Sequence, residues 1–141
     1  MRNFEYFLDA KEAKKATPDK ALARSLINDM EERLEKLAKL DVDEFSKLIF
    51  ENAYDALRDF ADALLTIDGF KSYSHEASIA YLSKYGFDNF MIELMDKFRY
   101  KRNMSKYQGH KISVEEAKEI LNLHTKIRGK IMKILKESGL K

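Results

Sequence analysis

The stretch from Lys97 to Val114 holds the densest potential chemistry in the sequence. It carries six basic residues, Lys97, Arg99, Lys101, Arg102, Lys106 and Lys111, and no acidic one, interleaved with Phe98, Tyr100, Tyr107 and His110. Cations neutralise phosphates and release counterions, and aromatic faces stack on unpaired bases, so the combination suits single-stranded RNA better than duplex DNA. The other reading of such a run is a solvated face near a helix end, where cations complement the macrodipole. Within it Lys97, Arg99, Lys101, Asn103, Lys106 and Lys111 are the expected RNA or phosphate contacts.

Arg102 stands apart from the other cations. It follows Phe98 by four positions and Met95 by seven, so it continues an apolar helical stripe and points a permanent cation towards the bundle or a partner. A cation in that position needs an anion. The spacing leaves two outcomes open: an intramolecular pair with Glu51, Asp55 or Asp59, or a bound phosphate.

Other chemistries find little support. His75-Glu76 begins like the helical zinc motif, but Ile79 stands where the second histidine would be, so no metal site is expected. His75 is expected to play a structural part in the first turn of a helix, and His124 is isolated. The five glycines stand alone, without a P-loop or dinucleotide fingerprint, and no cofactor is expected. The absence of cysteine excludes disulfides, thiolate nucleophiles and thiolate metal sites.

One Pro, five Gly and abundant Lys and Glu specify an all-α protein, and 141 residues give a single domain over 1–141. Five to six helices are legible from their caps and periodicity. Asn3 caps a first helix to about Ala16, and Thr17-Pro18 open a second to about Leu40. Asp41 or Asp43 opens a long third helix that ends at Gly69. It carries Phe45, Ile49, Ala53, Ala56, Phe60, Leu64 and Ile67 inward and Glu51, Asp55, Arg58, Asp59 and Asp62 on a wet face. Ser72 or Ser74 caps a short helix stopping at Gly86, and Asp88 caps the next, which ends near Tyr107 with Phe90, Leu94, Met95 and Phe98 on one stripe. Ser113 and Glu116 have the spacing of a capping box for the last helix. The expected architecture is an antiparallel bundle of five to six helices.

The net charge of +2 conceals an asymmetry: residues 1–96 hold 13 Lys/Arg against 20 Asp/Glu, whereas residues 97–141 hold 13 against 4. The C-terminal third is therefore a basic pole. No apolar run is long enough to span a membrane, and Glu5 and Asp9 interrupt the N-terminus, so no membrane association and a cytoplasmic location are expected.

The run from Ala53 to Leu65, the helix start Ser74-His75-Glu76 and above all Arg102-Asn103-Met104-Ser105-Lys106-Tyr107 followed by Gly109 resemble the HEPN superfamily. These small helical domains are named for higher eukaryotes and prokaryotes nucleotide binding, and the likeness is greatest to stand-alone prokaryotic members. It covers roughly residues 43–136, with a looser fit over the first two helices. The resemblance implies a homodimer, frequently encoded beside a minimal nucleotidyltransferase. It also implies that active members are metal-independent ribonucleases of toxin–antitoxin or defence systems. Their motif is an Arg followed after four to six residues by a His, with the sites of two subunits facing each other.

Arg102 matches the motif Arg, but four intervening residues lead to Tyr107, and His110 lies seven beyond. Arg102, Tyr107 and His110 are thus the candidate catalytic residues. Metal-free RNA cleavage needs a base for the 2′-hydroxyl, an acid for the leaving oxygen and a cation beside the phosphate. Histidine can serve as acid and base near neutral pH, whereas tyrosine, with a pKa near 10, makes a poor base there. Without that group the rate typically falls by about 10²–10⁴ while RNA binding stays possible. The expected function is RNA or nucleotidyltransferase engagement, with cleavage impaired or dependent on His110. The alternative is a non-catalytic helical module whose basic pole docks on an acidic partner protein.

Overall fold

The computed structural model describes residues 1–141 as an all-α bundle of six helices with a two-stranded ribbon against it. The elements are α1 (Phe4–Asp9), β1 (Ala13–Lys15), α2 (Lys20–Leu37), α3 (Ser46–Asp68), β2 (Phe70–Ser72), α4 (His75–Tyr81), α5 (Asn89–Gln108) and α6 (Val114–Glu137). A 3₁₀ turn, Leu82–Tyr85, follows α4. No helix is long and apolar enough to cross a membrane.

The central element is α3, which touches α2, α4, α5, α6 and β2. Its alanines Ala53, Ala56, Ala61 and Ala63 are buried and let neighbours approach closely, while Ile49, Phe50, Phe60 and Leu64 fill the core. Phe98 of α5 meets Phe50 edge to face with ring centroids 5.8 Å apart. His124 of α6 is buried too, and donates from Nε2 to the Ala53 carbonyl at 2.7 Å. Burial lowers its pKa and keeps the ring neutral, so its role is structural.

Several caps stand where the sequence puts them. Ser74, Asp88 and Ser113 each accept from the backbone N–H three residues on, and Ser113 with Glu116 completes the capping box. Gly69, Gly86 and Gly109 follow the ends of α3, the 3₁₀ turn and α5 in the left-handed conformation.

The expected first helix is corrected: α1 ends at Asp9, Lys11 takes φ 62°, and residues 13–15 become β1. Phe4 and Phe7 are already buried by α1, and tertiary pairing with β2 overrides the helical preference of Ala and Lys in β1. The start of α2 also moves, because Asp19 is the N-cap and accepts from Leu22 N–H at 3.0 Å. Pro18 instead packs at the corner beside Gly69. A Cβ on Gly69 would lie 3.0 Å from the Ala16 carbonyl oxygen, and its φ of 86° favours glycine independently. α3 begins at Ser46 rather than near Asp41, whose carboxylate closes a separate turn by accepting from Glu44 N–H at 3.0 Å.

Candidate nucleic-acid interface

Two faces of α5 use the same residue types differently. The inner face buries Ile92, Met95, Phe98, Arg102 and Ser105. Arg102 is only 6% exposed, and its Nη2 donates to Asp55 Oδ1 at 2.9 Å. Of the two outcomes left open by spacing, the intramolecular pair is therefore formed, and its acid is Asp55. The guanidinium carbon also lies 5.9 Å from the centre of the Tyr54 ring, while Nε is buried without a hydrogen-bond partner.

Asp55 belongs to a wider polar layer. Arg33 of α2 approaches it at 3.8 Å and donates to Asp59 at 3.1 Å and to Asn52 at 2.8 Å, while Ser105 donates to Glu51 at 3.1 Å. The face of α3 expected to be wet is consequently half-buried along Glu51, Asp55, Arg58, Asp59 and Asp62. Burial outweighs the attraction of Arg33 and pushes the Asp59 carboxyl up to about 6.

The outer face is built for solvent. Tyr100 is 59% and Tyr107 70% exposed, and Asn103 lies one helical turn from each on the same side. Two turns separate the two rings along the axis, about 10 Å. Lys97, Lys106 and Lys111 are exposed and take no part in the chain's ion pairs. Lys106 Nζ lies 5.9 Å from the Tyr107 ring centre. Arg99 and Lys101 are already matched, Arg99 by Asp96 at 2.7 Å and Glu76 at 3.8 Å, and Lys101 by Glu116 at 3.0 Å.

The motif residues Arg102, Tyr107 and His110 do not form a single cluster within this chain. Arg102 points inward and Tyr107 outward, about 140° apart around the helix. His110 is exposed beyond Gly109, and its backbone N–H closes the helix end on the Met104 carbonyl at 3.2 Å.

A second group, around His75, is not legible in the sequence. His75 Nδ1 and the Tyr54 hydroxyl are hydrogen-bonded at 3.1 Å, and Arg58 Nη1 contacts His75 Nε2. A guanidinium can only donate, so Nε2 accepts and the ring proton sits on Nδ1, directed at the Tyr54 oxygen. Arg58 also pairs with Asp62 at 3.4 Å, and Asp62 accepts from Ser78 at 2.7 Å. Burial first, and then the charges of Arg58, Arg102, Arg99 and Lys106, lower the His75 pKa to about 4. The ring is therefore neutral at pH 7 with its lone pair already engaged, which makes it a poor general base. Only the cap at Ser74 signals the placement of His75; its partners lie 21 and 17 residues away on α3.

A groove of about 540 Å³ between α2 and α3 has a mixed rim of Asp29, Glu32, Arg33 and Lys36. Comparison with protein-family models, curated proteins and solved structures returns no match.

Proposed function

We propose that the chain binds single-stranded RNA along the outer face of α5 and the loop that follows, as a HEPN-like homodimer of toxin–antitoxin or defence type. The observation that supports this reading most strongly is the exposed pair Tyr100 and Tyr107 set among the unmatched Lys97, Lys106 and Lys111. Aromatic faces supply sequence-tolerant stacking worth about 1–3 kcal/mol per base, and unmatched lysines supply the phosphate contacts. In this reading Arg102 anchors α5 to α3 and thereby fixes the orientation of the outer face. Cleavage, where it occurs, depends on His110, which is exposed at the end of the same face. A minimal nucleotidyltransferase is the protein partner that the family resemblance suggests.

Fluorescence anisotropy with a labelled oligouridylate at low salt tests the binding. Tyr100→Ala combined with Tyr107→Ala is expected to weaken it at least tenfold, with light scattering reporting a dimer. Wild-type protein that ignores RNA yet binds an acidic protein partner would replace this reading with the interaction module. Cleavage is assayed in excess chelator: loss of wild-type activity in His110→Ala marks a lengthened motif, whereas activity that appears only in Tyr107→His marks a binding protein.

A further inference from the structure

Within the acidic N-terminal two-thirds of the chain, the ribbon carries a cluster of exposed lysines. β1 and β2 pair antiparallel with Lys14 directly opposite Lys71. Tyr73 follows β2 on the same face as Lys71, with its backbone N–H donating to the Glu12 carbonyl at 2.8 Å. The Tyr73 ring is 54% exposed, and Lys14 Nζ and Lys71 Nζ lie 5.8 and 5.6 Å from its centre. Lys11 and Lys15 add two further exposed cations nearby in the chain. None of these four lysines joins an ion pair, and neither does Glu12 across from Tyr73.

Like charges placed directly opposite on adjacent strands destabilise the pairing. Lysine on a strand edge can discourage edge-to-edge aggregation, but that purpose needs no opposed pair gathered around an exposed aromatic ring. Both ammonium groups lie over the Tyr73 ring as cation–π partners without a carboxylate, so phosphates can take them up and leave the aromatic face to a base. The ribbon also leads towards α5. Ser74 alone separates Tyr73 from His75, which touches Arg58, while Arg99 of α5 reaches the neighbouring Glu76 at 3.8 Å. Arg58 and Arg99, each already paired with a carboxylate, thus lie between the ribbon and α5.

We propose that the β1–β2 ribbon is a second contact for the same single-stranded RNA, in which Tyr73 stacks on a base and Lys14 and Lys71 hold the adjoining phosphates. The proposal rests on the RNA-binding reading of α5 and adds a separate anchor to it. The ribbon contributes affinity for strands long enough to reach both surfaces.

A labelled 20-nucleotide oligouridylate, titrated at several salt concentrations, separates the two anchors. Tyr73→Ala is expected to weaken binding by about tenfold. Lys14→Gln with Lys71→Gln should weaken it comparably and make the salt slope shallower by about 1.4, at about 0.7 for each single-strand phosphate no longer neutralised. The same lysine variant should melt within about 2 °C of wild type, because the lost repulsion and the two lost cation–π contacts offset each other. Unchanged affinity in all ribbon variants, with wild type and the α5 tyrosine variant still differing, would overturn the ribbon proposal and leave the α5 reading intact. Weaker binding in the ribbon variants alone would support the ribbon and overturn the α5 site. No binding by wild type would overturn both, and a lower melting temperature with unchanged affinity would make the lysine pair a structural staple.

Discussion

The inner and outer faces of α5 share one basic segment but differ in what lies beside each cation. On the inner face Arg102 is buried against Asp55, and Ser105 is bonded to Glu51. On the outer face Lys97 and Lys106 face water with no carboxylate partner, next to exposed Tyr100 and Tyr107. A buried cation must be matched within the fold because desolvation is severe, whereas an exposed one can remain available to a ligand. A run of basic residues is therefore two populations, and burial decides to which of them each residue belongs.

The largest test of that division is Arg102→Ala, which strands Asp55 with only the more distant Arg33. A loss of about 2–3 kcal/mol is expected in denaturant unfolding, somewhat below the usual value for a broken buried pair because Arg33 lies 3.8 Å from Asp55. A stability within about 0.5 kcal/mol of wild type would erase the distinction between the faces.

A smaller effect comes from acid, where two half-buried groups oppose each other. The Asp59 pKa is raised to about 6 in the folded chain, so the native state takes up its proton first. Acidification from pH 6 towards 4 therefore favours folding through Asp59. His75, lowered to about 4, works in the other direction: the unfolded chain is protonated first below about pH 6.5, and stability falls through that same window. Urea midpoints measured between pH 4 and 6.5 should drop more steeply with acid in Asp59→Asn than in wild type. They should drop less steeply in His75→Gln. Parallel profiles for all three proteins would remove both assignments.

The smallest expected change in stability is on the outer face. Replacing Lys97, Lys106 and Lys111 by Gln should leave unfolding within about 0.5 kcal/mol of wild type, and should make the RNA salt slope shallower by about 2. A marked drop in stability would show that these lysines are engaged within the fold after all.

What the sequence reveals of this arrangement depends on the range of each interaction. Asp88 and the Ser113–Glu116 box act over three residues and locate the starts of α5 and α6, while Ser74 is one of the two caps the sequence offers for α4. Arg102 is legible as an inward cation because it continues the Met95–Phe98 stripe, and Asp55 stands among its candidate partners. Periodicity identifies which side of α3 is not core, but not that α2 and α5 cover much of it, so Asp55 and Asp59 read as solvated. The ribbon is the least legible part. Ala13-Lys14-Lys15 has the composition of a helix, and nothing near it announces Phe70–Ser72 as its partner. His75 is hidden for a related reason, since a cap fixes where α4 begins and says nothing about Tyr54 and Arg58.

The pairing of Lys15 with Phe70 also orders assembly. The ribbon closes a loop that contains all of α2 and α3, and the entropy of that closure is offset more readily once the two helices have docked and brought their ends together. Strands of three residues supply few hydrogen bonds to hold the loop shut. The α2–α3 hairpin is thus favoured to form before the ribbon that clasps its ends.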